Sequence, residues 1–498
     1  MIMAQLLCAS FPIFATHINV SSNISTNTVW TSNNTYTLDG LIVVDSGVTL
    51  TIQPGVTICS GSGSGLIVQS TAALIANGTA DSMIVFTSNK APSLRQHGDW
   101  LGIVLLGDAM NNTTDNGGGQ KIVVRDGLNY YGGGNNDTYN GGSMQYVSIA
   151  YAGEDIIGDT YKGALVLNSL GSSTNLSHIQ IINSKTDGMV LLGGLPNITE
   201  LYLQNNLERD LLIDAGNRSS INSLLAIKNS NMYSFPLGTI GIAVYNNESS
   251  PLNLPLSQPV LDAFTVIGPQ HCGAIIGDQS VGMYFDYNAG GDFRNGVVSN
   301  FEEGMKIMDQ LSTSRTVGSP AASFKFKYTS IVNNGTNIID ASTAWIGCPS
   351  SIFDWFENGC DNTSNTSNNF TLSYNTSICN DYCEHLPVFD LAATSELQFT
   401  EDLSKRIGVI QENPSFTWVD ACPTQTCQEE NIKYRQTLEV HPNPSKGLVY
   451  ISLPSTVNTM HSIRIVHIVS GKSFIEKITS TSGNQVLLDM KSYPMGLY

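Results

Sequence analysis

A repeat of 22 to 23 residues constrains this chain more than any other feature. Residues 175–184, NLSHIQIINS, align with residues 197–206, NITELYLQNN, at an offset of 22. Those align in turn with residues 220–229, SINSLLAIKN, at an offset of 23. Between them, DGMVL at 187–191 matches DLLID at 210–214, again at 23. Each period holds short β-branched or leucine-rich runs separated by Asn, Gly and Asp, and no single run can bury a core alone. Stacking is the physical way out: successive coils cover one another, aliphatic side chains pile inward, and Asn side chains hydrogen-bond along the turns. A leucine-rich repeat has a similar period, but Leu201 to Asn205 is only a local echo of its frame. The expected fold is therefore all-β: a right-handed parallel β-helix over residues 28–345.

The earlier runs, Leu41–Val44, Val48–Ile52, Leu66–Val68 and Met83–Thr87, fit the same scheme, with Gly47, Pro54 and Gly55 as punctuation. Residues 107–142, rich in Gly and Asn, read as a long excursion from one face, and residues 250–300 contain another irregular stretch. Loops of this kind are where solenoids usually carry function.

Composition excludes several function classes. Acidic residues outnumber basic ones 41 to 23, which argues against nucleic-acid binding. No apolar run reaches the roughly 18 residues of a membrane-spanning helix. Residues 1–27 form a signal-like segment and lead: MIMAQLLCASFPIFA is apolar and ends in small residues, as a secretory signal does. It has no basic start, so it reads either as a complete signal or as the inside of a longer one. Cys8 lacks the small residue expected before a lipidated cysteine.

Six further cysteines, Cys348, Cys360, Cys379, Cys383, Cys422 and Cys427, lie in a Cys-rich flank at 346–431. An even cluster in an exported chain reads as disulfides; zinc is the alternative at the Cys379–Cys383 and Cys422–Cys427 spacings. Cys59 and Cys272 read as plain buried thiols. Trp345, Trp355 and Trp418 are expected to fill a small core of the flank. The many Asn-x-Ser/Thr triplets, such as Asn77 to Thr79, are read as a consequence of abundant Asn.

Composition shifts again at residue 432. Residues 432–498 carry seven Lys or Arg and three Asp or Glu. Strand-like runs at 449–453, 463–468 and 486–489, with Pro442 and Pro444 in front, predict a small β-sandwich. The segment also resembles the type A C-terminal sorting domain of the type IX secretion system of Bacteroidetes. The resemblance rests on Pro442, Asn443, Pro444 and Gly447 at its opening, Gly471 in a middle turn, and Pro494, Gly496, Leu497 and Tyr498 at its close. That family normally continues past the closing tyrosine, whereas this chain stops there. The resemblance implies type IX machinery as a partner, and export across the outer membrane to the cell surface or the medium. Residues 98–107, 144–153, 187–194 and 291–295 are similar to β-helix surface proteins exported by this route.

Candidate chemistry follows from the repeat. Aligned at 23, Asp187 and Asp210 occupy equivalent places in successive coils, about 4.8 Å apart, with Asp214 close by. Two carboxylates so placed call for a cation between them, and Ca2+ suits oxygen ligands; the alternative is a solvated row neutralised by Lys185 and Arg209. The same three aspartates are the catalytic candidates. Tyr130 and Tyr131, flanked by Gly and Asn, are the exposed aromatic candidates for ligand binding, with Trp100 as a third unless it packs against the coils. Gly61 to Gly65 has the letters of a nucleophile elbow but sits in a turn between strands. The functional expectation is an exported surface or secreted binding or structural protein that contacts glycan. The alternative is a polysaccharide lyase or glycoside hydrolase on the same scaffold.

Overall fold

The repeats pair in parallel, coil upon coil. Asn175–Ile182, Asn197–Gln204, Ser220–Ile227 and Val260–Ile267 are neighbouring strands of one sheet, with Asn175 opposite Asn197 and Asn197 opposite Ser220. The intervening segments Asp187–Leu192, Arg209–Asp214, Thr239–Val244 and Ser280–Phe285 make a second parallel sheet. The computed structural model describes residues 16–358 apart from 114–119, 125–127, 156–161, 229–237, 270–279, 318–322, 343–344 and 347–350. Beyond 358 it describes residues 367, 373–374, 389–390, 418–419 and five short strands between 439 and 489. Among these, the first sheet has 14 strands and the second ten. This is the expected parallel β-helix.

The long strands of the first sheet turn a corner within themselves. Tyr146, His178, Glu200, Ser223, Ala263, Asn295 and Tyr328 all adopt φ between 49° and 63°. Pairing skips them: Ser177 faces Thr199 and Ile179 faces Leu201, while His178 is passed over. A left-handed non-glycine residue costs about 1–2 kcal/mol. Here the cost recurs in register, so one column of such residues bends the sheet into two faces.

Inside the coils, Ile103, Leu165, Met189, Leu211, Ile242, Met283, Met305 and Ile338 follow one another rung by rung on the second sheet, all buried. Leu176, Ile198, Ile221, Leu261, Phe293 and Phe326 do the same on the first. Phe285, Phe293, Phe324 and Phe326 gather near the last coils. The helix Ile352–Asn358 covers them, setting Trp355 5.1 Å from the Phe324 ring and Phe356 5.3 Å from the Phe326 ring. Trp355 thus extends the β-helix core instead of filling a separate flank core. Trp418 also leaves the flank: it packs edge-on against Tyr146 and His178, and its indole N–H donates to Glu200 at 3.1 Å.

A column of small residues runs along the second sheet where each coil enters it. A Cβ on Gly188 would come within 2.6 Å of the Asp210 carbonyl, one on Gly241 within 2.6 Å of the Gly282 carbonyl, and one on Gly282 within 2.5 Å of the Gly304 carbonyl. Close approach of backbone to backbone is what demands glycine here. Asp210 stands in this column as its one charged member, since Met189 opposite Leu211 sets Gly188 opposite Asp210.

Residues 429–498 form a second unit. Glu439–His441, Leu448–Ser452 and Gln485–Asp489 make an antiparallel sheet, and Ser462–Val466 pairs antiparallel with Ser473–Lys477. The motif residues Pro442, Asn443, Pro444, Gly447, Gly471, Pro494, Gly496, Leu497 and Tyr498 lie outside the described residues, as do all six flank cysteines. Cys59 is buried and disulfide-bonded, so the plain-thiol reading fails there. No helix among the described residues is long and apolar enough to cross a membrane.

Candidate functional site

The second sheet decides which side chains can act together. Its register is 22 across these coils, so Asp187 stands opposite Arg209 and not opposite Asp210. Arg209 donates to both Asp187 oxygens, Nε to Oδ1 at 2.7 Å and Nη2 to Oδ2 at 2.9 Å. Burial opposes the charge on Arg209, but Asp187 outweighs it and holds the guanidinium above its usual range. Asp210 is buried elsewhere, with Oδ1 accepting from the Asn206 amide at 3.0 Å and Oδ2 3.3 Å from Lys228 Nζ. Burial pushes its carboxyl up to about 6 and pulls the Lys228 amine down. Asp214 accepts the Ala215 N–H at 2.6 Å. The expected calcium row therefore fails: two of its carboxyl groups are closed by basic side chains of the protein itself. Among the described residues, no group of three His, Cys, Asp or Glu is arranged to hold a metal.

The outward side of the same sheet carries one continuous rung-by-rung column. It runs Val43, Ile67, Val104, Val166, Val190, Leu212, Ala243, Tyr284, Lys306, Ile339. Most of its first seven members are buried, and they form an apolar cluster of their own outside the coils. Tyr130 packs against that cluster, from a hairpin of Gln120–Val124 with Leu128–Gly132. At Tyr284 and Lys306 the column turns polar. A cleft of about 280 Å³ opens there, lined by Glu208, Arg209, Ile240, Tyr245, Tyr284, Glu303 and Lys306 among others.

This cleft is aromatic and mixed in charge. Tyr245 lies edge-on to Tyr284 at 6.0 Å and to Tyr287 at 5.6 Å. Burial raises the Tyr245 and Tyr284 phenols, so both stay protonated and can donate as well as accept. Burial, with Asp286 and Glu248 beside it, pushes the Tyr287 phenol up to about 12. Glu208 is raised first by burial and then by the Asp187 charge. Lys306 Nζ binds both oxygens of Glu303, at 3.1 and 2.9 Å. Protonated phenols, a carboxyl displaced toward its neutral form and paired cations can together hydrogen-bond hydroxyl-rich ligands.

The other sequence candidates fall elsewhere. Trp100 is fully buried, stacks on Phe86 at 6.5 Å and donates its indole N–H to the Ala150 carbonyl at 2.8 Å. It offers no face to a ligand. Tyr131 is 37% exposed, while its neighbour Tyr130 is turned onto the sheet. Tyr245, Tyr284, Glu208 and Lys306 carried no motif in the sequence. The register singles out Tyr284 and Lys306, next to Ala243 in an outward column, and the cleft adds Tyr245 and Glu208 to them.

The sequence matches the secretion system C-terminal sorting domain over residues 439–498. No curated protein matches the chain. The enzymatically active domain of tailspike protein 2 of bacteriophage CBA120, a crystal structure, aligns at 11% identity and a TM-score of 0.31, covering 67% of this chain and 42% of that one. The chain thus spans less than half of that structure's length, and so loose a likeness carries no argument. With its sorting domain, the chain is a type IX secretion cargo with a β-helix, exported across the outer membrane to the cell surface or beyond. Residues 22–374 match the pectate-lyase like beta helix domain, and the chain belongs to that family.

Proposed function

We propose that this exported β-helix binds glycan in the cleft of its second sheet, as a surface or secreted binding protein. The observation that carries the reading is the change in the outward column, from buried aliphatics to Tyr284 and Lys306, where the cleft opens. Tyr284 and Tyr245 supply rigid amphipathic surface against which a sugar ring stacks. Glu208, Arg209, Glu303 and Lys306 supply hydrogen bonds to hydroxyls. The volume is close to the lower end of ligand pockets, about 300 Å³, which suits a short stretch of a longer chain.

One observation favours a second reading, a polysaccharide hydrolase or lyase. Glu208 is a carboxyl raised by burial inside the cleft, with a second carboxylate, Glu303, on the same lining. Raised carboxyls are the general acids of glycoside cleavage. Size-exclusion chromatography of the full chain with neutral and acidic polysaccharides, with and without Ca2+, separates the readings. Co-elution of protein with intact polymer supports binding. Late-eluting fragments make the protein an enzyme. Protein and polymer that elute independently across the panel contradict both.

A further inference from the structure

Beneath the cleft lies a pair of side chains that the glycan reading does not use. Lys228 and Asp210 are both fully buried, and Nζ lies 3.3 Å from Oδ2. Each is an exception in its own column. Asp210 replaces a glycine in the tight column of the second sheet. Lys228 occupies a corner where Asn183 and Asn205 stand on preceding coils and Gly268 on the next, as the backbone bonds from Asn183 to Gln204, Asn205 to Ile227 and Lys228 to Ile267 set out. The two exceptions fall together. A buried ion pair on its own gains little over an apolar pair, because both charges must leave water.

The contacts around the pair fit a reaction better than a salt bridge. Lys228 Nζ donates to the Asn206 carbonyl at 2.6 Å and the Glu208 carbonyl at 3.4 Å. In its neutral form the amine has two hydrogens to give, so these two bonds leave its lone pair for the carboxyl. Asp210 Oδ2 faces Nζ at 3.3 Å without aligned hydrogen-bond geometry, and among the described residues it has no other partner. Oδ1 accepts the Asn206 side-chain amide. Burial shifts both groups toward their neutral forms, the carboxyl up to about 6 and the amine down.

We infer that Lys228 and Asp210 condense into an intramolecular isopeptide bond that ties two successive coils. The amine lone pair attacks Cγ of the protonated carboxyl, and negative charge developing on Oδ1 is met by the Asn206 amide. The Nζ–Cγ bond forms and the Cγ–Oδ2 bond breaks. The departing hydroxyl takes a proton from the amine and leaves as water. No oxidant, metal or other reactant is required.

The test is intact-mass spectrometry of the full chain, reduced and denatured, followed by tryptic mapping. The expected mass is that of the sequence less one water. A branched peptide should join the segment holding Asp210 to that holding Lys228, with no cleavage after Lys228. Lys228→Met and Asp210→Ala should each restore the full mass. A wild-type chain at full mass, with trypsin cutting after Lys228, overturns the inference. So does a lost water that maps elsewhere, for instance to a succinimide at Asp187–Gly188. The wild-type measurement decides whether or not the variants fold, and it is independent of any glycan result.

Discussion

Arg209 stands one rung above Asp187 in the second sheet and holds both of its carboxylate oxygens, at 2.7 and 2.9 Å. Asp187 is 1% exposed, so this bond is what makes its charge tolerable. Arg209→Ala leaves a buried carboxylate without its partner and should cost about 3 kcal/mol of stability. Urea denaturation of both proteins checks it. An unchanged midpoint would mean that the pair is not formed in solution.

The corner column makes a prediction of opposite signs at one residue. Ala263 sits at φ 58°. Ala263→Gly relieves the left-handed strain and should be neutral or stabilising by up to about 1 kcal/mol. Ala263→Val adds a β-branched side chain to the same conformation and should destabilise by more than about 1 kcal/mol. Thermal melts should place Ala263→Gly at or above wild type and Ala263→Val below it. Similar melting points would remove the corner as a source of strain.

Acid sensitivity should come from two histidines. Burial lowers both His97 and His178 below the ordinary histidine value; His97 is bonded to the Asn205 carbonyl, and His178 contacts Glu200, Tyr146 and Trp418. In each case the unfolded chain takes up the proton at higher pH than the folded one. Their contribution to stability is therefore present above about pH 6.5 and is lost as pH falls through their lowered folded values. Denaturation from pH 8 to 5 should show this slope, and His97→Gln with His178→Gln should flatten it. A slope that survives both substitutions would assign the sensitivity to other groups.

Trp100 and Tyr131 separate packing from recognition. Trp100→Ala empties a fully buried site and should cost about 3–5 kcal/mol. Tyr131→Ala, at a half-exposed hairpin position, should change stability by less than about 0.5 kcal/mol. Calorimetric melting of the two variants reads the contrast, and equal losses would contradict the packing described for Trp100.

The fold was legible in the sequence because the first sheet repeats cleanly. Asn175, Asn197 and Ser220 align as neighbours by letters and by hydrogen bonds alike. The second sheet was harder. Glycine fills the places where backbones touch, and the letters DGMVL and DLLID favour an offset one residue too long. That single slip put Asp210 opposite Asp187 and suggested a calcium row where the register sets Arg209. The cleft was invisible for a different reason. Tyr245, Tyr284, Glu208 and Lys306 belong to four separate coils, and loops of unequal length destroy any spacing between them. The tail was legible because Pro442, Asn443, Pro444 and Gly447 fall within six residues, a local signature that needs no register.

The central claim is that glycan is held against Tyr284. It is tested by the equilibrium affinity of the full chain for whichever polysaccharide it retains, compared across wild type, Tyr284→Ala and Tyr131→Ala. Loss of an aromatic stacking surface is worth about 1 kcal/mol or somewhat more, so Tyr284→Ala should bind roughly five- to tenfold more weakly while the chain remains folded by circular dichroism. Tyr131→Ala should match wild type. Equal affinity of Tyr284→Ala and wild type, or a loss confined to Tyr131→Ala, would contradict the assignment of the cleft.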